Sequence, residues 1–253
     1  MRNILAIAQK ELRSYFSSPI AYIIIGFFAL PFGVFFYLYL GAFVRQSLQM
    51  AQYGGSMNIN QQVIRYVLQN ASVIILFIMP MITMRTYSEE KRSGTIELLL
   101  TSPVTDVQII IGKFLGALGL YVAMLLVTVV YIAILFVYGS PEWRPLVASY
   151  LGLLLMGGAF LSIGLLISST TNNQIVAGII SFVVFLMLWI VGWFAESSGP
   201  IMGEVAKYLS ITEHFDDFSK GIIDTKHVIY YLSLITFGLF LTAKSVDSER
   251  WRG

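Results

Sequence analysis

The sequence predicts an all-α integral membrane protein with six transmembrane helices and an N-terminal amphipathic interfacial helix. Three observations carry that prediction: 57% of the 253 residues are hydrophobic, only 12% are charged, and the mean hydropathy is +0.77. Soluble domains carry about 25% charged residues, roughly twice the fraction found here. The apolar runs are also too long and uniform for a soluble core, whose helices keep a polar face.

A helix needs roughly 20 mainly apolar residues to cross about 30 Å of hydrocarbon. Residues 20–43, 63–84, 107–138, 147–167, 175–194 and 228–243 meet that requirement, giving a six-span domain over 20–253 behind an interfacial segment over 1–19. Pro31 removes a backbone hydrogen bond from the first span and predicts a kink near Ala29 or Leu30. The strictly apolar part of the second, Ala71 to Met84, is short, so the span begins at Val63 with Arg65 and Gln69 near one end. The third exceeds a perpendicular crossing, and Lys113 near its start is expected to snorkel toward headgroups. Only Ser168 to Gln174 separates the fourth span from the fifth, which predicts a tight hairpin. The stretch from Val44 to Asn70, with Gly54-Gly55, reads as a solvated connection, and Glu196 to Lys226 as short helices partly embedded in the leaflet.

Lysine and arginine in the flanks set the orientation. Ten of them fall on the side of Arg2, Arg85, Arg92 and Lys244, and six on the side of Arg45, Arg144 and Lys220. Both termini and the connection between spans two and three are therefore expected in the cytoplasm. The charges interspersed at Arg2, Lys10, Glu11 and Arg13 do not fit a cleavable signal, so the N-terminus is expected to be retained.

Several function classes are disfavoured. The chain has no cysteine, so thiolate metal sites and disulfides are absent. A net charge of +2 leaves no electrostatic footprint for nucleic acid. The two histidines, His214 and His227, lack metal-ligand spacing, and His214 reads as a packing or hydrogen-bonding side chain without a partner. No ionisable residue falls at the centre of a span, which counts against an ion-coupled secondary transporter. The Gly112-Lys113 pair is followed by Phe114 and lacks the earlier glycine of a phosphate-binding loop, so the chain is not expected to bind ATP itself.

Two segments hold more specific information. At the N-terminus Ile4, Leu5, Ala8, Leu12, Tyr15 and Phe16 recur at helical spacing while Gln9, Lys10 and Arg13 lie on other faces, and Pro19 supplies a corner into span one. After span two, Glu89, Glu90, Lys91 and Arg92 precede Gly94, which permits a sharp turn. Thr95 then begins a short helix carrying Glu97 and the apolar cluster Leu98, Leu99 and Leu100, ending before Pro103. Such a helix either rests on the membrane or docks in a groove of a cytoplasmic partner, with Glu97 at the rim. Gly112 and Gly116, and again Gly158 and Ser162, give the small-x-x-x-small spacing that lets helices approach closely, here expected within one subunit.

These segments resemble the permease subunits of type-2 ABC exporters. The matching pieces are Lys10-Glu11-Leu12-Arg13, the block from Glu89 to Leu100, and Pro103 followed by Gly112-Lys113. Phe16-Ser17-Ser18-Pro19-Ile20-Ala21-Tyr22, Asn172-Asn173-Gln174-Ile175-Val176-Ala177 and Glu213 to Gly221 are most similar to the bacterial gliding-motility-type permeases. The resemblance implies a multi-pass protein of the bacterial inner membrane with a coupling helix over Thr95 to Leu100. It further implies no cofactor on this chain, ATP and Mg on a separate cytoplasmic ATPase, and pairing with a second permease copy or a related permease. An extracytoplasmic auxiliary subunit is a further expected partner. Glu89, Glu90, Arg92 and Gly94 would orient the coupling segment. A membrane scaffold that transmits force without moving a solute is the main rival.

Overall fold

The computed structural model describes residues 2–55, 57–95, 104–195 and 199–250. Among these no strand occurs, and the helices run α1 (Arg2–Ser17), α2 (Pro19–Gln52), a π-turn (Asn60–Ile64) leading into α3 (Arg65–Thr83), and α4 (Ser88–Ser93). They continue as α5 (Asp106–Tyr138), α6 (Trp143–Thr170), α7 (Gln174–Ala195), α8 (Pro200–Leu209), α9 (Ile211–Ser219) and α10 (Thr225–Arg250). Among the described residues six segments are long and apolar enough to cross a membrane: Pro19–Gln52, Asn60–Ser93, Asp106–Tyr138, Trp143–Thr170, Gln174–Ala195 and Thr225–Ser248. The all-α membrane architecture read from the sequence is the one observed.

Burial sorts the spans into an inner and an outer set. Apolar 18-residue stretches of the second and fourth spans are 67% buried, against 22% for those of α2, α7 and α10, so α3 and α6 form the interior and the others present apolar faces outward. The sequence of α6 accounts for its place. Without hydrophobic transfer to drive association in lipid, close packing needs small residues at the contact. A Cβ on Gly152 would lie 2.6 Å from Phe218 Cβ, and one on Gly158 would lie 3.0 Å from Ile235 Cδ1. Gly238 of α10 faces Ser162, whose Oγ would sit 2.7 Å from an added Cβ. Buried hydroxyls are satisfied locally: Tyr121 donates to the Leu153 carbonyl at 2.6 Å, and Ser169 and Ser245 join α6 to α10 at 2.9 Å.

The structure departs from the sequence reading between the first two spans. Most of Val44 to Asn70 is helical, because residues 44–52 contain neither glycine nor proline to stop α2 once it leaves the apolar layer. The turn comes at Gly54, where φ is 74°, a conformation that costs glycine little. Asn60 then ties this end of α3 to α6: its Nδ2 donates to the Glu142 carbonyl at 2.8 Å and its Oδ1 accepts from the Glu142 amide at 3.0 Å. Pro31 lies inside α2, with helix on both sides of it.

Candidate functional site

At one end of the bundle α1, α4 and α5 meet. α1 lies on a glycine face of α5: a Cβ on Gly112 would sit 2.7 Å from Ile7 Cβ, and one on Gly116 would sit 2.6 Å from Glu11 Cβ. Leu12 continues the contact over Gly119, while Leu5 stays 65% exposed on another face. The Gly112–Gly116 spacing thus seats the N-terminal helix, and Gly158 and Ser162 seat α10 on α6.

α4 follows from its own charges. Glu89 and Glu90 occupy its first turn and Lys91 and Arg92 its last, matching the helix dipole at both ends. Arg85 holds Glu89 through two contacts, Nε to Oε2 at 2.9 Å and Nη2 to Oε1 at 3.0 Å. Ser168 of α6 bridges the break between α3 and α4. Its Oγ accepts from the Tyr87 amide at 3.1 Å and the Ser88 amide at 3.2 Å, and donates to the Met84 carbonyl at 3.3 Å. Gly94 ends the helix at φ 71°, and the Ser93 and Thr95 hydroxyls lie 2.9 Å apart beyond it. The segment expected to carry Glu97, Leu98, Leu99 and Leu100 lies outside the described residues.

Lys113 joins the three helices. Its Nζ lies 2.8 Å from Glu90 Oε1 and 3.2 Å from Glu11 Oε1, and donates to the Thr86 carbonyl at 3.0 Å. The Tyr87 ring lies 5.1 Å from the same nitrogen. The side chain is 1% exposed, which overturns the expectation that it snorkels to headgroups. The reason is electrostatic: two carboxylates and a carbonyl inside the protein replace its water shell. Lys10 closes the cluster from α1, 3.2 Å from Glu11 and 3.6 Å from Glu90, so two cations and two carboxylates balance. Burial draws the Lys10 ammonium down, yet Glu11 and Glu90 together hold it above its ordinary value. Tyr15, pushed up to about 12 by burial, donates to the Ile82 carbonyl at 3.3 Å.

A cavity of about 510 Å³ opens beside this cluster, lined by Lys10, Glu11, Tyr15, Arg85, Glu89 and Glu90 among others. A second, of about 900 Å³, places Lys91 and Arg92 next to Asn172, Asn173 and Gln174. Of the residues singled out in the sequence, Glu89, Glu90, Arg92, Gly94 and Thr95 therefore share one end with the Asn172–Gln174 turn.

The match to the ABC-2 family transporter protein description runs over residues 5–243 and takes in this whole arrangement. The chain belongs to the ABC-2 transporter family. The ABC-2 protein is 29% identical over 143 residues to the probable multidrug ABC transporter permease YbhR of Escherichia coli strain K12, and likewise to YbhR of Escherichia coli O157:H7. The aligned part is 56% of this chain and 38% of those relatives' length.

Sequence reasoning missed two features of the ABC-2 protein. The roles of Glu11 and Lys113 were available as a signal, since Glu11 is the single acid in α1 and Lys113 the single cation in α5. At the opposite end, His214 is not without a partner: its Nδ1 lies 2.6 Å from His227 Nδ1. Their sequence separation of thirteen conceals the pairing, which the turn after α9 creates. Among the described residues no group of three side chains is arranged to hold a metal.

Proposed function

We propose that the ABC-2 protein is the permease subunit of an ATP-driven exporter, coupled through α4 and the segment after it to a separate cytoplasmic ATPase. The supporting observation is the Glu11–Lys113–Glu90 cluster, which ties α4, α1 and the start of α5 together beside the entry to residues 96–103. A push on the coupling segment, delivered through Glu97 and Leu98 to Leu100, then moves α5 and α1 as one body rather than dissipating in a loop. Glu89, Glu90, Arg92 and Gly94 set the angle at which that segment leaves α4. The ATPase supplies ATP and Mg; this chain supplies the path across the bilayer.

Two permease copies, identical or related, enclose that path, with both termini in the cytoplasm of a bacterial inner membrane. The excess of lysine and arginine at the α1 end supports this orientation. The Asn172–Ala177 and Glu213–Gly221 motifs support a role of the gliding-motility or cell-envelope kind.

ATP hydrolysis in reconstituted vesicles tests the reading. Hydrolysis by the partner ATPase is expected to rise on adding this chain, and the rise to be lost with Glu97→Lys combined with Leu98→Ser. A rate indifferent to both would contradict coupling through this segment.

A further inference from the structure

At the end opposite α4, a chain of hydrogen bonds runs across three helices. His214 Nε2 lies 3.0 Å from the Tyr208 carbonyl oxygen, His214 Nδ1 lies 2.6 Å from His227 Nδ1, and His227 Nε2 lies 2.8 Å from Asp217 Oδ2. Both terminal groups are acceptors, since a carbonyl has no hydrogen and an ionised carboxylate has none. His214 Nε2 and His227 Nε2 must therefore each carry one. The central contact needs a third hydrogen, on one of the two Nδ1 atoms. Two neutral imidazoles carry two ring hydrogens between them; this geometry uses three.

We infer that the His214–His227 pair is a proton-binding site, holding one proton more than two neutral rings and using Asp217 as its counter-ion. The ligand is a single proton, shared across one short N···N contact. Asp217 is the weaker base of the three. Its hydrogen bond from His227, aided by Lys220, keeps its carboxyl below the ordinary 3.8, so the extra proton resides on the rings. A second extra proton is opposed: burial, with His227 and Lys226 adding repulsion, lowers His214 from its ordinary 6.5. The capacity of the site is one.

The surroundings isolate the pair. His214 and His227 are 7% and 6% exposed, and the Tyr230 ring stacks on His214 at 3.7 Å. Tyr230 and Tyr231 of α10 turn their hydroxyls away, donating to the Leu209 and Ile211 carbonyls at 2.9 and 2.7 Å. Tyr208 of α8 meets His214 edge-on. Lys226 is paired with Asp224 at 3.2 Å, and Lys220 lies 3.5 Å from the other oxygen of Asp217. From α3, Arg65 pairs with the neighbouring Asp216, at 3.0 Å. The bound proton therefore fastens α8, α9 and α10 to one another, and its loss leaves one of the three bonds without a hydrogen.

The chain has two histidines, so the test is direct. Full-length protein labelled with ¹⁵N-histidine and placed in phospholipid nanodiscs shows four ring nitrogens in solid-state NMR. Near neutral pH three protonated nitrogens and one bare nitrogen are expected, becoming two and two at higher pH. Asp217→Asn should move that change to lower pH by at least about one unit, the effect of removing an adjacent opposite charge. Two protonated and two bare nitrogens in the wild-type protein at neutral pH would overturn the inference. So would an Asp217→Asn variant that keeps the wild-type midpoint.

Discussion

Glu90 Oε1 lies 2.8 Å from Lys113 Nζ, across a sequence separation that no local pattern reveals, and this contact couples α4 to α5. Its energetic weight comes from burial. Removing one partner of a buried ion pair costs about 3–5 kcal/mol because the other charge is left uncompensated. Lys113→Met is therefore expected to lower the stability of the solubilised protein by about that amount. Adding Glu90→Gln to it should recover part of the loss. Thermal unfolding of the single and double variants checks this, and additive losses would exclude the pairing.

Arg65 and Asp216 make a contrasting pair at the other end. They are 3.0 Å apart, but their side chains are 31% and 38% exposed and Lys220 also binds Asp216. Screening by solvent limits such a pair to about 0–1 kcal/mol. Arg65→Gln is expected to cost less than about 1 kcal/mol, measured by the same unfolding assay.

The seating of α1 is steric. A Cβ on Gly116 would come within 2.6 Å of Glu11 Cβ, whereas one on Gly26 meets nothing within 4 Å. Gly116→Val should therefore lift α1 from α5 and speed tryptic cleavage after Lys10 and Arg13 by about tenfold or more, which corresponds to about 1.4 kcal/mol of lost docking. Gly26→Val should leave cleavage at the wild-type rate.

How much of this was legible in the sequence depends on whether the signal is local. The six spans are legible because hydrocarbon thickness imposes a length and a composition on each helix separately. α4 is half legible: Gly94 marks its end, but the four charges before it read equally well as a loop. The Lys113 cluster is not legible as a cluster, because Glu11, Glu90 and Lys113 come together only when α1 docks on Gly112 and Gly116. The His214–His227 pair is hidden for the same reason, since the turn after α9 sets its geometry.

Stability should also respond to acid through His214. Burial holds its ring below the ordinary 6.5, so between that value and the folded one the unfolded chain binds a proton that the folded chain does not. This contribution of His214 is lost as pH drops through that window, below the pH at which the pair takes up its one shared proton. Unfolding midpoints taken from about pH 7 to about pH 5 should decline, and His214→Gln should flatten the decline. An equally steep profile in the variant would place the titrating group elsewhere.

Affinity purification of the full chain from gently solubilised native membranes, with mass spectrometry of its companions, tests the central claim most directly. The account predicts recovery of a protein carrying a phosphate-binding loop, lost with Glu97→Lys and Leu98→Ser together and retained with Arg65→Gln. Recovery of the intact chain without any such ATPase, under conditions that preserve other complexes of this kind, would contradict it.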